Sequence, residues 1–455
     1  MPESFTPPSS DERAVGRLAA RSFGAFVASA NAAGQLVVQP RMGFQDPGRM
    51  RQGLLATKAA RCVAVGTMTI DSYTRVGDIA AAREAIRMNR DLNGYPISAH
   101  SEVTTRAVLV GLSDATFPVQ VRHGSAEPQQ IVDAALRCGL SATEGGPVSY
   151  CLPYSRLPLD RSVRNWAATC RMLAESGQGD RSGPGATRPH LETFGGCMLG
   201  QLCPPDLLVA VSVLEALFFH QHGLRSISLS YAQQTHSGQD DEAVRALRRL
   251  AAELLPDTEW HVVIYAYMGM FPRTREGAGR LLDSAARLAV RTGSERLIVK
   301  TRSEAHRIPT VEENIGALER AAAVADLEGR LLRAETGMGG HAQADSGVYD
   351  RARSLIDTVR NLDGDLGIAL VRAFRLGLLD VPFCLHPANA RRSRSYIDVD
   401  GRLQWSDAGG MRIPVDAAPR VERRLTSSDF LAALSYVQRT FDQDGPERGR
   451  IGTTG

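Results

Sequence analysis

Eight short apolar runs, separated by stretches of helical periodicity, constrain this chain more than any other feature. They are LVVQPR (36–41), CVAVGTMTIDSYTR (62–75), PVQVRHG (118–124) and LSATEGGPVSY (140–150), followed by HLETFGG (190–196), SISLSYAQ (226–233), WHVVIYAY (260–267) and RLIVKT (296–301). Runs of this length, rich in Val and Ile and divided by helices, read as buried parallel strands. Eight strands alternating with helices make an α/β chain with the count of a (β/α)8 TIM barrel, whose active site lies at the C-terminal ends of the strands. Arg41, Arg75, Arg122, Glu144, Tyr150 and Lys300 fall at those ends. The pattern points to an enzyme that holds a small anionic substrate.

The 455 residues exceed what a barrel needs. The expected division is an N-terminal helical extension (1–34), a catalytic barrel (35–330) and a C-terminal α+β extension (331–455). A helix over 11–31 is expected at the barrel floor or entrance. Helices are further expected over 79–89, 129–138, 161–175, 206–220, 240–255, 276–291 and 311–325, each with an apolar face. Beyond them lie a helical pattern over 355–378, an extended turn at 379–390, a hairpin over 396–405 and a terminal helix over 427–440. The Gly/Ser/Pro-rich stretch at 176–189 follows a helix, so it belongs to the face opposite the site.

A net charge of +3 gives nucleic-acid binding no electrostatic support. No stretch reaches the roughly 18–20 apolar residues of a membrane span, and the N-terminus lacks an apolar signal core, so a cytoplasmic protein is expected. The seven cysteines form no CxxC pair, and Cys197 and Cys203 are spaced too loosely for the usual zinc patterns. Reduced thiols and no metal site are expected.

Arg41, Arg75 and Arg122 are read as ending the first three strands. A buried guanidinium is costly unless it meets an anion, and its planar fork matches a carboxylate. Three in succession favour a dicarboxylate clamp; the structural alternative is that each pairs with a neighbouring acid. Glu144, beside two glycines, is expected to stay ionised and accept from an ammonium or act as a base, or else to neutralise an arginine. Tyr150 and Tyr154 could give hydroxyls to a ligand or simply pack. Lys300 could form a Schiff base or donate hydrogen bonds, and Glu304 could bind a ribose hydroxyl. GMGG (337–340) has no βαβ unit around it, so a dinucleotide site is not expected.

The motifs QPRMG, TIDSYTR, LNGYP, QVRHG, TEGGPVSYCLPY, the pair Pro204-Pro205, IVKTRSEA, IPT and LDVPF occur here in order over residues 35–390. In that combination the chain resembles the large catalytic (epsilon) subunit of glutamate mutase, also called methylaspartate mutase. The resemblance implies an adenosylcobalamin-dependent isomerase that interconverts L-glutamate and 3-methylaspartate by a radical mechanism. It assigns Arg41, Arg75 and Arg122 to the substrate carboxylates, Glu144 to the amino group, and Tyr150 and Tyr154 to the rest of the pocket. It assigns Gly43, Asn93, Lys300 and Glu304 to the cofactor, and counts Glu144, Arg75 and Lys300 as catalytic.

No Asp in the chain has His two positions later, so the DxHxxG cobalt-ligating signature is missing. FFHQHG (218–223) has HxxG but Phe in place of Asp, at the end of an apolar helix. The resemblance therefore implies a separate small cobalamin-binding subunit that ligates the cobalt, and a homodimer of large subunits within a two-plus-two heterotetramer. Rival readings remain: a mutase acting on a close glutamate analogue, a Schiff-base lyase or aldolase using Lys300, and a non-catalytic amino-acid-binding barrel.

Overall fold

The computed structural model describes residues 22–177, 188–194, 202–304, 307–335, 346–413 and 426–443. All eight apolar runs contain strands: β1 (Val37–Pro40), β2 (Gly66–Thr69), β3 (Val119–Arg122), β4 (Ala142–Glu144), β5 (His190–Glu192), β6 (Ser226–Ala232), β7 (Glu259–Tyr265) and β8 (Arg296–Val299). They form one parallel sheet in the order β1-β8-β7-β6-β5-β4-β3-β2. A parallel bridge between Val38 and Ala64 joins the two ends, with Val38 N donating to Val63 O and Val65 N to Val38 O. The result is the expected (β/α)8 barrel.

The helices are α1 (Phe23–Ala32), α2 (Pro47–Ala59), α3 (Ser72–Arg75), α4 (Ile79–Arg87), α5 (Glu102–Leu109), α6 (Gln129–Arg137), α7 (Leu159–Ser176) and α8 (Pro205–Gln221). They continue with α9 (Ser237–Leu254), α10 (Arg275–Arg291), α11 (Val311–Glu335), α12 (Val348–Arg360), α13 (Leu366–Leu376), α14 (Ser427–Leu434) and α15 (Tyr436–Gln443), and a hairpin pairs β9 (Arg394–Ile397) with β10 (Leu403–Asp407). α1 closes the barrel floor, where Phe23 stacks on His190 at 4.9 Å and lies under the Arg296 guanidinium. α8 is almost wholly buried because α12 and α13 cover its outer side. The barrel fold and C-terminal elements therefore share one continuous core.

Several expectations differ in detail. The helix expected over 355–378 is two, α12 and α13, because Asp363 and Asp365 accept backbone N–H groups and restart the chain at Asp365. The terminal helix is likewise divided at Ser435 into α14 and α15. α2 is an additional helix whose buried face is Met50, Gly53, Leu54 and Thr57; Gly and Thr conceal it from an apolar count. Residues 11–21, the loop core 178–187, Cys197 and GMGG lie outside the described residues, and the other six cysteines are free thiols.

Candidate active site at the barrel mouth

The strand ends bring the polar residues together in two groups. In the inner group, Arg122 closes β3 and Glu144 closes β4, and their side chains meet at 2.6 Å with both nearly solvent-free. Arg122 also reaches Glu192 at the end of β5 (3.4 Å) and the Tyr265 hydroxyl at the end of β7 (3.0 Å). Tyr150 and Tyr265 both donate to Glu144, and Tyr265 also lies against Glu192. Deeper in the barrel Glu192 pairs with Arg296, which further bonds Gln39, Ser228 and His261.

The two carboxyls differ in proton affinity. Burial pushes Glu144 above the usual carboxylate range; Arg122 opposes this and the Glu192 charge adds to it. Burial acts on Glu192 too, but Arg296 and Arg122 flank it and together hold it at about 2. His123, next to Arg122, is pushed to about 3 by burial and by that guanidinium, so it is neutral. Its ring stacks on Trp166 at 5.8 Å and meets Tyr150 edge-on at 5.4 Å, which fixes Tyr150 from one side.

The outer group is poorer in acids. Arg41 and Lys300 share the single carboxylate of Glu304, at 3.1 and 3.6 Å, and the Lys300 ammonium lies 4.9 Å from the Phe271 ring centre. Arg75 corrects one expectation: it ends no strand. Asp71 accepts from the Tyr73 and Thr74 amides and starts the single turn α3, whose last residue is Arg75. Arg75 is exposed, and among the described residues no acid pairs with it. Its stem passes beside Gly124, where a Cβ would lie 3.2 Å from Arg75 Cδ, so it still reaches the end of β3. Tyr154 is 49% exposed, edge-on to Tyr150 at 6.0 Å.

Gly43 and Asn93 are placed by the chain's own packing. A Cβ on Gly43 would strike the Thr69 carbonyl, and Asn93 accepts from the Ser72 amide at the start of α3. Both therefore border the loop that carries Arg75. The TEGGPVSY loop is held from behind by Glu215 on α8, which accepts from the Val148 and Ser149 amides at 3.0 and 2.9 Å and from the Ser149 hydroxyl. Burial pushes Glu215 up to about 7 despite those donors. A Cβ on Gly146 would strike this carboxyl. Gly146→Ala is accordingly expected to cost about 1–3 kcal/mol, as overpacking in a filled site does; an unchanged denaturation midpoint would show that the loop has room.

Sequence reasoning missed Glu192, Tyr265, Arg296, His123 and Glu215. A signal existed for the strand residues: Gln120 and Arg122, His190 and Glu192, and Ser226 and Ser228 put polar residues at alternate positions of otherwise apolar runs, the period of one strand face. Glu215 sits inside the apolar helix α8 and gave no such sign.

Residues 19–428 match the methylaspartate mutase E chain family. The chain belongs to that family. Among curated relatives, the glutamate mutase epsilon subunit of Halobacterium salinarum is 33% identical over 78% of this chain and 73% of its own length. Those of Yersinia enterocolitica and Escherichia coli O157:H7 are 30% and 28% identical, over 80% and 87% of this chain and 75% and 82% of theirs. A truncated 3-deoxy-D-arabino-heptulosonate 7-phosphate synthase from Thermotoga maritima covers 67% of this chain and 87% of its own at 10% identity, with a TM-score of 0.32, too loose to add to the strand order. Among the described residues no helix is long and apolar enough to cross a membrane, and no cluster of His, Cys, Asp and Glu could hold a metal ion.

Proposed function

We propose that this chain is the catalytic large subunit of a glutamate mutase, interconverting L-glutamate and 3-methylaspartate with adenosylcobalamin. The observation that carries the reading is the Arg122–Glu144 pair at the strand ends, 2.6 Å apart and buried, with Arg75, which no acid among the described residues pairs, reaching the same end. The outer group of Arg41, Arg75, Lys300 and Glu304 carries an excess of positive charge, while the inner arginines are matched by Glu144 and Glu192. A ligand with two carboxylates and one ammonium suits that division. Its carboxylates would meet Arg41, Arg75 and Arg122, and its ammonium Glu144. Tyr150 and Tyr154 would close the pocket, and Glu192 would remain as the counter-ion of Arg122 once Glu144 turns to the ligand. Fixed strand ends hold fragments in place while a carbon skeleton rearranges.

The residues fit the sugar end of the cofactor. Glu304 offers carboxylate oxygens and Lys300 a donor, 3.6 Å apart, for a ribose diol, with Gly43 and Asn93 bordering the same mouth. They do not fit its metal end: the His220 of the HxxG stretch is paired with Asp257 on the outer surface. A separate small cobalamin-binding subunit would supply the cobalt ligand, in a two-plus-two assembly. When bound, the cofactor supplies a radical able to take hydrogen from an unactivated carbon.

The test is reconstitution. The chain, a separately expressed small subunit, adenosylcobalamin and L-glutamate are combined, and products are followed by proton NMR. A 3-methylaspartate methyl doublet requiring both proteins supports the reading; its absence, with complex formation demonstrated, overturns it. Arg75→Lys keeps the charge but loses the planar fork, so the apparent substrate constant is expected to rise about tenfold, one charge-assisted hydrogen bond's worth. An unchanged constant removes Arg75 from the clamp.

A further inference from the structure

The loop between β7 and α10 carries Phe271, and it is fastened by α15, a helix that contributes no side chain to the site described above. α15 lies beyond residue 428, where the family match ends. Gln438 Nε2 donates to the Phe271 carbonyl at 2.7 Å. Asp442 accepts from the Arg273 amide at 2.9 Å, and from the Thr274 amide and hydroxyl at 2.9 and 2.6 Å. Arg280, one turn into α10, donates to the Phe441 carbonyl. A second feature shows that the approach is built in. Gly277 in the first turn of α10 lacks the Cβ that would stand 2.7 Å from both the Phe441 carbonyl and the Thr274 hydroxyl and 2.9 Å from Asp442. Val437 is buried, which anchors the helix itself.

We propose that α15 is an intramolecular strap that holds the β7–α10 loop and so positions Lys300 through Phe271. Gln438 bonds the Phe271 carbonyl itself, and Asp442 bonds the backbone two and three residues after it. The Phe271 ring is thereby kept 4.9 Å from the Lys300 ammonium, where its π face favours the cation. Lys300 shares Glu304 with Arg41, so the strap reaches the outer group of the site through one aromatic ring. Gln438 and Asp442 are positioning residues. The relevance of Lys300 to a ligand rests on the function proposed above; the strap itself does not.

Two variants of the full chain test this by different routes. Asp442→Ala removes the acceptor. Gly277→Ala deletes no hydrogen-bonding group and, as a Gly-to-Ala change in a helix, would ordinarily be stabilising; here its methyl group meets the Phe441 carbonyl, the Asp442 carboxylate and the Thr274 hydroxyl that bonds Asp442, and so loosens the contact between loop and α15. In both, amide exchange at Arg273 and Thr274 is expected to accelerate about tenfold, as for loss of a local restraint. Lys300, 6% exposed in the wild type, should be modified correspondingly faster by an amine-directed reagent read by mass spectrometry. Asp442→Asn, which keeps one acceptor oxygen, should fall between. Wild-type exchange at Arg273 and Thr274 in both variants overturns the strap. Faster exchange with unchanged Lys300 labelling overturns its reach to the site. Neither readout needs cofactor, partner or turnover, so both stand even if L-glutamate is not the substrate.

Discussion

Glu192→Gln is expected to destabilise the chain by about 3–5 kcal/mol in denaturant unfolding at neutral pH, the cost of removing one partner from a buried ion pair. Glu192 is fully buried between Arg296 and Arg122, and the amide leaves Arg296 without a carboxylate among the described residues. The pH dependence follows from the direction of the shift. Glu192 ordinarily titrates near 4.5 and is held at about 2 in the fold, so the folded state binds its proton more weakly than the unfolded chain. Its stabilisation is complete above the ordinary value and is lost as pH falls through about 2. The gap between wild type and variant should thus be widest at neutral pH and close across that acid window. The exposed Arg164–Asp160 pair on α7 is the control; its loss should leave the midpoint unchanged. A Glu192→Gln midpoint equal to wild type would mean that the interior relaxes around an uncompensated arginine.

The barrel is legible in the chain because its signals are local. Strand runs and helical faces recur within windows of ten residues, and the ends of β1, β3 and β4 can be counted to Arg41, Arg122 and Glu144. Arg75 shows where local reading stops. The run from 62 to 75 looks like one strand, yet it ends at Thr69, and Asp71 then caps a helical turn; an Asp followed by polar residues was the available sign. Pairing was less accessible. Whether Arg122 meets a ligand or an acid depends on Glu144, Glu192 and Tyr265, brought together from 22, 70 and 143 residues away by closure of the sheet. Glu304 is a local case: it lies four residues after Lys300, but its second partner Arg41 directly follows β1, across the β1–β8 seam. The inner network is therefore a property of the closed barrel, and alternate polar positions within apolar strands are its trace in the sequence.

Glu144→Gln is expected to lower kcat/KM of the reconstituted enzyme by roughly thirtyfold to several thousandfold, the range for losing one member of a buried charge pair at about 1.4 kcal/mol per decade. The amide preserves side-chain volume and can still accept from Tyr150, so the change tests charge more than packing. Charge matters twice: Glu144 is the proposed acceptor for the substrate ammonium, and it neutralises Arg122 at 2.6 Å when no ligand is present. The pH profile separates this role from a structural one. Burial raises the Glu144 pKa, and an ammonium is held by the ionised form. Wild-type kcat/KM should therefore fall on acidification with an apparent pKa above the ordinary carboxylate range, and the amide variant should lack that limb. Loss of activity with the limb intact would assign the limb to another group and leave Glu144 as the counter-ion of Arg122. Wild-type kcat/KM in the variant would remove Glu144 from substrate binding altogether, and the ammonium would then need a different acceptor, with Glu192 unsuited because both of its sides are already occupied by arginine.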